Sequence, residues 1–150
     1  MVVVLHPVRG RTILVAPIRL GLGLAWYVAA RVAGAAQASA LLAFGSGLAA
    51  FVFLAFNDPR MSFIVRNDPA PAPADATIAT PLAQALRATL PSTVGVSVLA
   101  AIAVVPYPVL AAFLGGVSAG LGVGALASVP RIDPALLLDP HSGLVYRKSN

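Results

Sequence analysis

The sequence contains no cysteine and no glutamate, and charged residues make up only 10% of its 150 positions. Without cysteine, neither a disulfide nor a thiolate metal site can form. The acidic residues are five aspartates that lie outside the long apolar runs: Asp58, Asp68, Asp75, Asp133 and Asp139. Most catalytic mechanisms need an acid or a base close to a nucleophile, and the apolar runs offer no such pair. We therefore expect no enzyme activity, no catalytic residues, no cofactor and no metal site.

Hydrophobic residues, in contrast, make up 59% of the chain, and the mean hydropathy is +0.89. Both values exceed those of an ordinary soluble domain. The net charge is +5 and nine of the ten basic residues are arginines, but they are spread singly along the chain. A nucleic-acid-binding arm has a dense basic run instead, so we expect no nucleic acid partner. Basic residues at the ends of membrane spans explain this charge better.

Four windows reach the roughly 20 apolar residues that a transmembrane helix needs. They are residues 13–33, 36–56, 86–105 and 109–129. Only a few residues connect the first window to the second and the third to the fourth, which predicts antiparallel helical hairpins. The sequence therefore predicts an all-α integral membrane protein with four transmembrane helices in two helical hairpins.

The predicted organisation is a single membrane domain over residues 1–150. Hairpin one covers about 13–56 and hairpin two about 86–129. A Pro/Ala-rich linker over about 57–85 separates them, and a polar tail covers 130–150. The PAPAPAD sequence in the linker favours an extended, poorly packed segment.

The distribution of basic residues predicts the orientation. The N-terminal segment, the linker with its flank and the tail contain Arg9, Arg11, Arg60, Arg66, Arg87, Arg131, Arg147 and Lys148. The two short turns contain only Arg31. The positive-inside rule then predicts that both termini and the linker are cytoplasmic. Ala36-Gln37-Ala38 is similar to a signal-peptide cleavage site, but we expect no cleavage because the preceding apolar segment is long and contains two arginines.

Small residues recur at every fourth position of the fourth span: Ala112, Gly116, Gly120, Gly124 and Ser128. This row includes two overlapping GxxxG units, which allow close approach of helix backbones in lipid. The first span has a similar row: Gly21, Ala25, Ala29 and Ala33. The second span has a shorter one: Ser39, Ala43 and Gly47. These rows predict helix-packing interfaces with the hairpin partner, the other hairpin, a second copy or a different protein.

Arg19 and Arg31 are the residues least suited to a bilayer interior, since both lie within the first predicted span with only eleven positions between them. A charge deep in the bilayer is costly. We expect the two side chains to extend in opposite directions toward the head groups. The alternative is that Arg19 contacts a lipid phosphate or a carboxylate of another subunit, because this chain has no acid at that depth.

The remaining polar and aromatic residues suggest no catalytic site. His6 and His141 have no second ligand at a regular spacing, so we expect them to be solvated. Trp26 and Tyr27 lie near the middle of the first span, which favours a helix interface over an interfacial belt. Tyr107 lies between two prolines and is typical of an interfacial aromatic in a rigid turn.

The segment after the fourth span reads Arg131-Ile-Asp133-Pro-Ala-Leu136-Leu137-Leu138-Asp139. Together with the paired hairpins, it resembles the prenylated Rab acceptor family of four-span trafficking proteins, in which an Arg after the last span precedes an acidic, Leu-rich segment. The linker from Phe56 to Arg66 is similar to that family's central loop. The resemblance implies a trafficking adaptor at an endomembrane, with a binding partner at its cytoplasmic face.

From the residues themselves we expect a non-enzymatic accessory or scaffold subunit of a larger membrane protein complex. Its partners would be membrane lipid and other transmembrane subunits, with a hetero-oligomer favoured and a homo-oligomer possible. The alternatives are the trafficking adaptor and a homo-oligomeric pore, although only scattered serines could line a pore. The high alanine content and the single lysine are typical of a GC-rich genome, which favours a bacterial inner (plasma) membrane.

Overall fold

The computed structural model of the protein describes residues 4–57, 69–78, 81–139 and 144–148. In this part of the chain there are four α-helices: α1 (Val8–Val32), α2 (Gln37–Phe56), α3 (Pro81–Ala103) and α4 (Pro108–Ser128). A 3-10 helix (Val129–Arg131) follows α4. The described part of the chain also contains five strands: β1 (Val4–Pro7), β2 (Ala70–Pro71), β3 (Thr77–Ile78), β4 (Leu136–Leu138) and β5 (Val145–Arg147). The predicted mostly helical character is confirmed, whereas the small sheet was not predicted.

Prolines mark the beginnings of α1 and α3, both of which lie several residues before the predicted apolar windows. α1 begins at Val8, directly after the extended backbone of Pro7 (φ −66°, ψ 115°). α3 begins with Pro81 itself, a position where the missing N–H of proline costs little. The windows start later because polar residues interrupt the apolar runs, although the helical backbone continues through them.

Three of the helices are long and apolar enough to cross a membrane. The qualifying segments among the described residues are Val8–Val32, Gln37–Ala55 and Pro108–Arg131. α3 contains the apolar helical segment Pro91–Ala103. α1 alone has 25 residues, and at about 1.5 Å per residue it exceeds the ~30 Å hydrocarbon core.

The connection between α1 and α2 is set by a glycine with a left-handed backbone. Gly34 has φ +99°, and its N–H donates to the carbonyl of Arg31 at 3.2 Å. The N–H of Ala35 donates to the carbonyl of Ala30 at 3.0 Å. This pair of bonds is the Schellman motif, which satisfies carbonyls at the end of a helix. It ends α1 abruptly and allows the chain to begin α2 at Gln37.

α4 is the central helix of the bundle. It makes the most extensive helix contacts, with α1 and with α2, whereas α1 and α2 have few contacts with each other. α3 packs against α1 and α4. Consecutive helices are therefore not the ones that pack most closely, and the predicted division into two hairpins does not describe the packing. α4 occupies the centre because its small side chains allow α1 and α2 to pack closely on two of its faces.

The five strands form one small sheet in the order β2-β5-β4-β1-β3. In its centre β1 pairs antiparallel with β4, and His6 lies opposite Leu138. The linker strands pair at the two edges, β2 with β5 and β3 with β1. The sheet therefore joins the N-terminal segment, the linker and the tail at one end of the bundle. The linker residues in it are extended, as predicted, and exposed, although they pair with other strands.

Buried alanines fill the other end of the bundle, where the two short turns meet. The cluster consists of Ala30, Ala35, Ala40, Ala103, Ala111 and Ala112. It draws on all four helices and on the connection between α1 and α2. Tyr27, Ala43 and Val104 cover it.

Candidate functional site: the glycine faces of α4 and a basic cavity

One face of α4 carries Gly116, Gly120 and Gly124 and lies against α2. A Cβ atom added to Gly120 would be 2.6 Å from the carbonyl oxygen of Leu48, and one added to Gly116 would overlap the carbonyl oxygen of Phe44. One added to Gly124 would overlap the Cβ of Ala55. Since successive glycines of α4 meet successive turns of α2 in the same order, the two helices run parallel. α2 thus fills the GxxxG groove predicted from the sequence.

A second face of α4 lies against α1. A Cβ atom at Gly122 would be 2.7 Å from the carbonyl oxygen of Ala16, and one at Gly115 would be 3.2 Å from the Cβ of Trp26. Between these glycines, the Ser118 hydroxyl donates to the main-chain carbonyl of Arg19 at 2.9 Å. The sequence analysis missed this face because its small residues alternate at intervals of three and four and not at a constant four.

The row predicted on α1 faces away from the bundle. Gly21 and Ala25 are exposed and Ala29 is half-buried, and a Cβ atom at Gly21 would meet no atom within 4 Å. The contact with α4 is made at Gly23 instead, where an added Cβ would be 2.8 Å from the Cβ of Ala119. Within this chain, Gly21 and Ala25 are therefore not packing residues. Of the predicted partners for this row, a second copy and a different protein remain.

The outermost members of the α4 row have other surroundings. Ala112 is fully buried in the alanine cluster. Ser128 donates its hydroxyl hydrogen to the carbonyl of Ala125 at 2.7 Å and lines the cavity described below. The central glycines of the row therefore make its contact with α2.

The aromatic residues of α1 lie in helix interfaces, as predicted. The rings of Tyr27 and Phe44 are 5.3 Å apart in an edge-to-face arrangement, which links α1 to α2. The indole N–H of Trp26 donates to the Ser97 hydroxyl oxygen at 3.4 Å, which links α1 to α3. Tyr107 is exposed in the turn before α4.

A basic cavity of about 310 Å³ opens at the sheet end of the bundle. We use this name for the space lined by His6, Val8, Arg11, Thr12, Val15, Arg19, Ala55, Leu121, Gly124, Ala125, Ser128 and Leu138. Its walls come from α1, α4, the end of α2 and the sheet. Among the described residues, the cavity is lined by three basic side chains, those of His6, Arg11 and Arg19, and by no acidic one.

Arg19 and Arg31 have different polar partners. Arg19 donates from Nη2 to the Ser92 hydroxyl oxygen at 3.1 Å, whereas its Nε is buried without a partner. Arg31 donates from Nη1 to the carbonyl oxygen of Ala35. Arg19 also lines the cavity at the sheet end, whereas Arg31 contacts the connection between α1 and α2 at the other end of the bundle.

The described residues contain no group of three His, Asp or Glu side chains that could hold a metal ion. His6 lies in β1, and His141 lies outside the described residues. In the tail, Asp133 pairs with Arg147 at 3.3 Å across the surface of the sheet end. Of the two segments from which the prenylated Rab acceptor family was suggested, residues 131–139 contain the end of the 3-10 helix and β4, and residues 58–66 lie outside the described residues.

Comparison of the chain with protein-family models, with curated proteins and with solved structures finds no match.

Proposed function

We propose that the protein is an integral membrane protein that works by helix packing, as a small accessory or scaffold subunit of a larger membrane complex and without enzymatic chemistry. Three helices long and apolar enough to cross a membrane support the location. The N-terminal segment, the linker strands and the tail share one sheet, which is compatible with an even number of crossings. In this proposal the basic sheet end faces the cytoplasm of a bacterial inner membrane.

The observation that carries the proposal is the uncovered row on α1. The glycine faces of α4 are filled by α1 and α2, so a partner would need another surface. Gly21 has open space around it, and Ala25 lies one turn further on and is also exposed. In lipid, such a row allows a second backbone to come close, and this close approach drives association. We therefore assign the partner contact to a transmembrane helix of another subunit that packs against Gly21 and Ala25.

The test is to replace Gly21 by leucine in the full chain and to compare it with Gly45→Leu. Both glycines have no atom within 4 Å of an added Cβ, so neither substitution disturbs the fold from within. Gly45 lies on α2, outside the predicted row. Native mass spectrometry of the protein purified in mild detergent should show a complex for the wild type and for Gly45→Leu.

Gly21→Leu should weaken the association by about tenfold in Kd, a loss of roughly 1.4 kcal/mol. The intact mass distinguishes a second copy of this chain from a different subunit. A wild-type protein that is only a monomer, or equal complex formation by both variants, would contradict the proposal.

A further inference from the structure

The basic cavity lies where the first helix meets the sheet. His6 and Leu138 stand opposite each other in the β1–β4 ladder and both line the cavity. Arg11 and Arg19 line it from α1; they are eight positions apart, about two helical turns. Gly124 and Ser128 contribute from α4. The cavity is thus built from segments that are distant in sequence.

The described lining residues provide hydrogen-bond donors and positive charge, but no carboxylate that would neutralise this charge. No carboxylate is among the lining residues in the described part of the chain. The Nε of Arg19 is buried and has no partner, although a buried guanidinium donor without a partner is costly. Two arginines that line one cavity also repel each other, and a bound anion would offset this repulsion.

The neutral polar groups of the cavity are already engaged as donors. The Thr12 hydroxyl donates to the carbonyl of Val8 at 2.9 Å, and the Ser128 hydroxyl donates to the carbonyl of Ala125. Arg19 is held in place by its bond to Ser92. The guanidinium groups of Arg11 and Arg19 and the imidazole of His6 are therefore the donors left for a ligand, and the planar guanidinium forks suit the oxygens of a phosphate.

We propose that the basic cavity binds a phosphate-bearing anion, whose oxygens accept hydrogen bonds from Arg11 and Arg19. A volume of about 310 Å³ lies at the lower end of the range of small-ligand sites and accommodates a phosphate with a short polar substituent. The phosphate can belong to a lipid head group or to a soluble anion, since the same donors recognise both. This inference does not depend on the proposed accessory role.

The test uses the purified full chain in detergent micelles with phosphatidylglycerol, with diacylglycerol of the same acyl chains, or with inorganic phosphate. Native mass spectrometry measures the lipid retained, and titration of the phosphate measures its competition. The variants are Arg11→Gln and Arg19→Gln. The matched control is Arg9→Gln, which removes one charge from the same end of α1 but does not line the cavity. Circular dichroism and size-exclusion chromatography show which variants keep the fold.

The wild type and Arg9→Gln should retain phosphatidylglycerol but not diacylglycerol. Each cavity variant should bind about tenfold more weakly, as expected for the loss of one charge-assisted contact. If inorganic phosphate does not displace the retained phosphatidylglycerol, the ligand is a lipid. If inorganic phosphate binds and phosphatidylglycerol is not retained, the ligand is a soluble anion. If Arg19→Gln does not fold, Arg11→Gln still provides the test. Arg11 lies in the first turn of α1, so we expect its substitution to disturb the fold less. Equal loss in Arg9→Gln, or equal retention in every variant, would overturn the inference.

Discussion

Gly23 of α1 and Gly115 of α4 face each other so closely that neither has space for a side chain. A Cβ atom added to Gly23 would lie 2.5 Å from the carbonyl oxygen of Gly115, and one added to Gly115 would lie 2.7 Å from the carbonyl oxygen of Gly23. This reciprocal contact brings the two backbones together near the middle of α1. Packing of this kind gains dispersion energy that larger side chains would prevent.

Replacing Gly23 by alanine should therefore destabilise the protein, although alanine is the better helix former by about 1 kcal/mol. The methyl group would have to push backbone atoms apart, and we expect a net loss of about 1–3 kcal/mol in the free energy of unfolding. Unfolding by SDS in mixed micelles measures it. Gly21→Ala is the control two positions away, where open space predicts no loss. Equal stabilities of the two variants would show that α1 and α4 do not meet at Gly23.

The contact between α2 and α4 predicts a similar difference on α2. A Cβ atom at Gly47 would lie 2.5 Å from the carbonyl oxygen of Phe113, whereas one at Gly45 would meet nothing within 4 Å. Gly47→Ala should lower the free energy of unfolding by about 1–3 kcal/mol, and Gly45→Ala should not lower it. The same SDS titration measures both. A Gly47→Ala variant as stable as Gly45→Ala would show that α2 does not contact α4 at Gly47.

The hydroxyl of Ser118 links α4 to α1 by a side-chain bond to the carbonyl of Arg19. Ser118→Ala removes this bond, and we expect a loss of only about 0.6 kcal/mol, the usual size of such a bond within a membrane. Ser46→Ala is the control, since the Ser46 hydroxyl donates within its own helix, to the carbonyl of Ala43. A loss above that of the glycine variants would mean that hydrogen bonding, and not close backbone packing, holds α4.

The common sheet predicts which segments lie on one side of the membrane. The chain has no cysteine, so single cysteines can be labelled without background. Asp75→Cys in the linker and Lys148→Cys in the tail should react with a membrane-impermeant maleimide only after cells are opened. Ala36→Cys, in the exposed connection before α2, should react in intact cells. Labelling of the linker and the tail from different sides would contradict the shared sheet end.

Hydropathy and charge indicated the helices, but not their neighbours. The constant spacing of four in Gly116, Gly120 and Gly124 identified one face of α4. The face toward α1 depends on Gly115 and Gly122, which are seven positions apart, and in a helix with glycines on several sides a single row cannot reveal both contacts. The row that begins at Gly21 likewise does not reveal that Gly23 makes the contact with α4.

The sheet and the basic cavity could not be predicted from local patterns. The strands have two to four residues, too few for an alternating pattern to stand out. Their pairing joins segments far apart in the sequence, such as His6 with Leu138. Arg19 was identified as unusual because of its depth, whereas its proximity to Arg11 and the sheet follows only from the fold.

The central claim is that this chain's own helices fill the glycine faces of α4. A Cβ atom at Gly124 would overlap the Cβ of Ala55, and its next neighbours are 3.6 Å away, so a cysteine pair at these positions reaches disulfide geometry once the two Cβ atoms move about 1 Å apart. The measurement is the oxidation of Ala55→Cys/Gly124→Cys in membranes, followed by mass spectrometry of the monomer, with Gly45→Cys/Gly124→Cys as the control. We predict an intrachain disulfide in the first pair and none in the control. Disulfide-linked dimers without the intrachain bond would contradict the account, because another copy would then occupy the groove of α4.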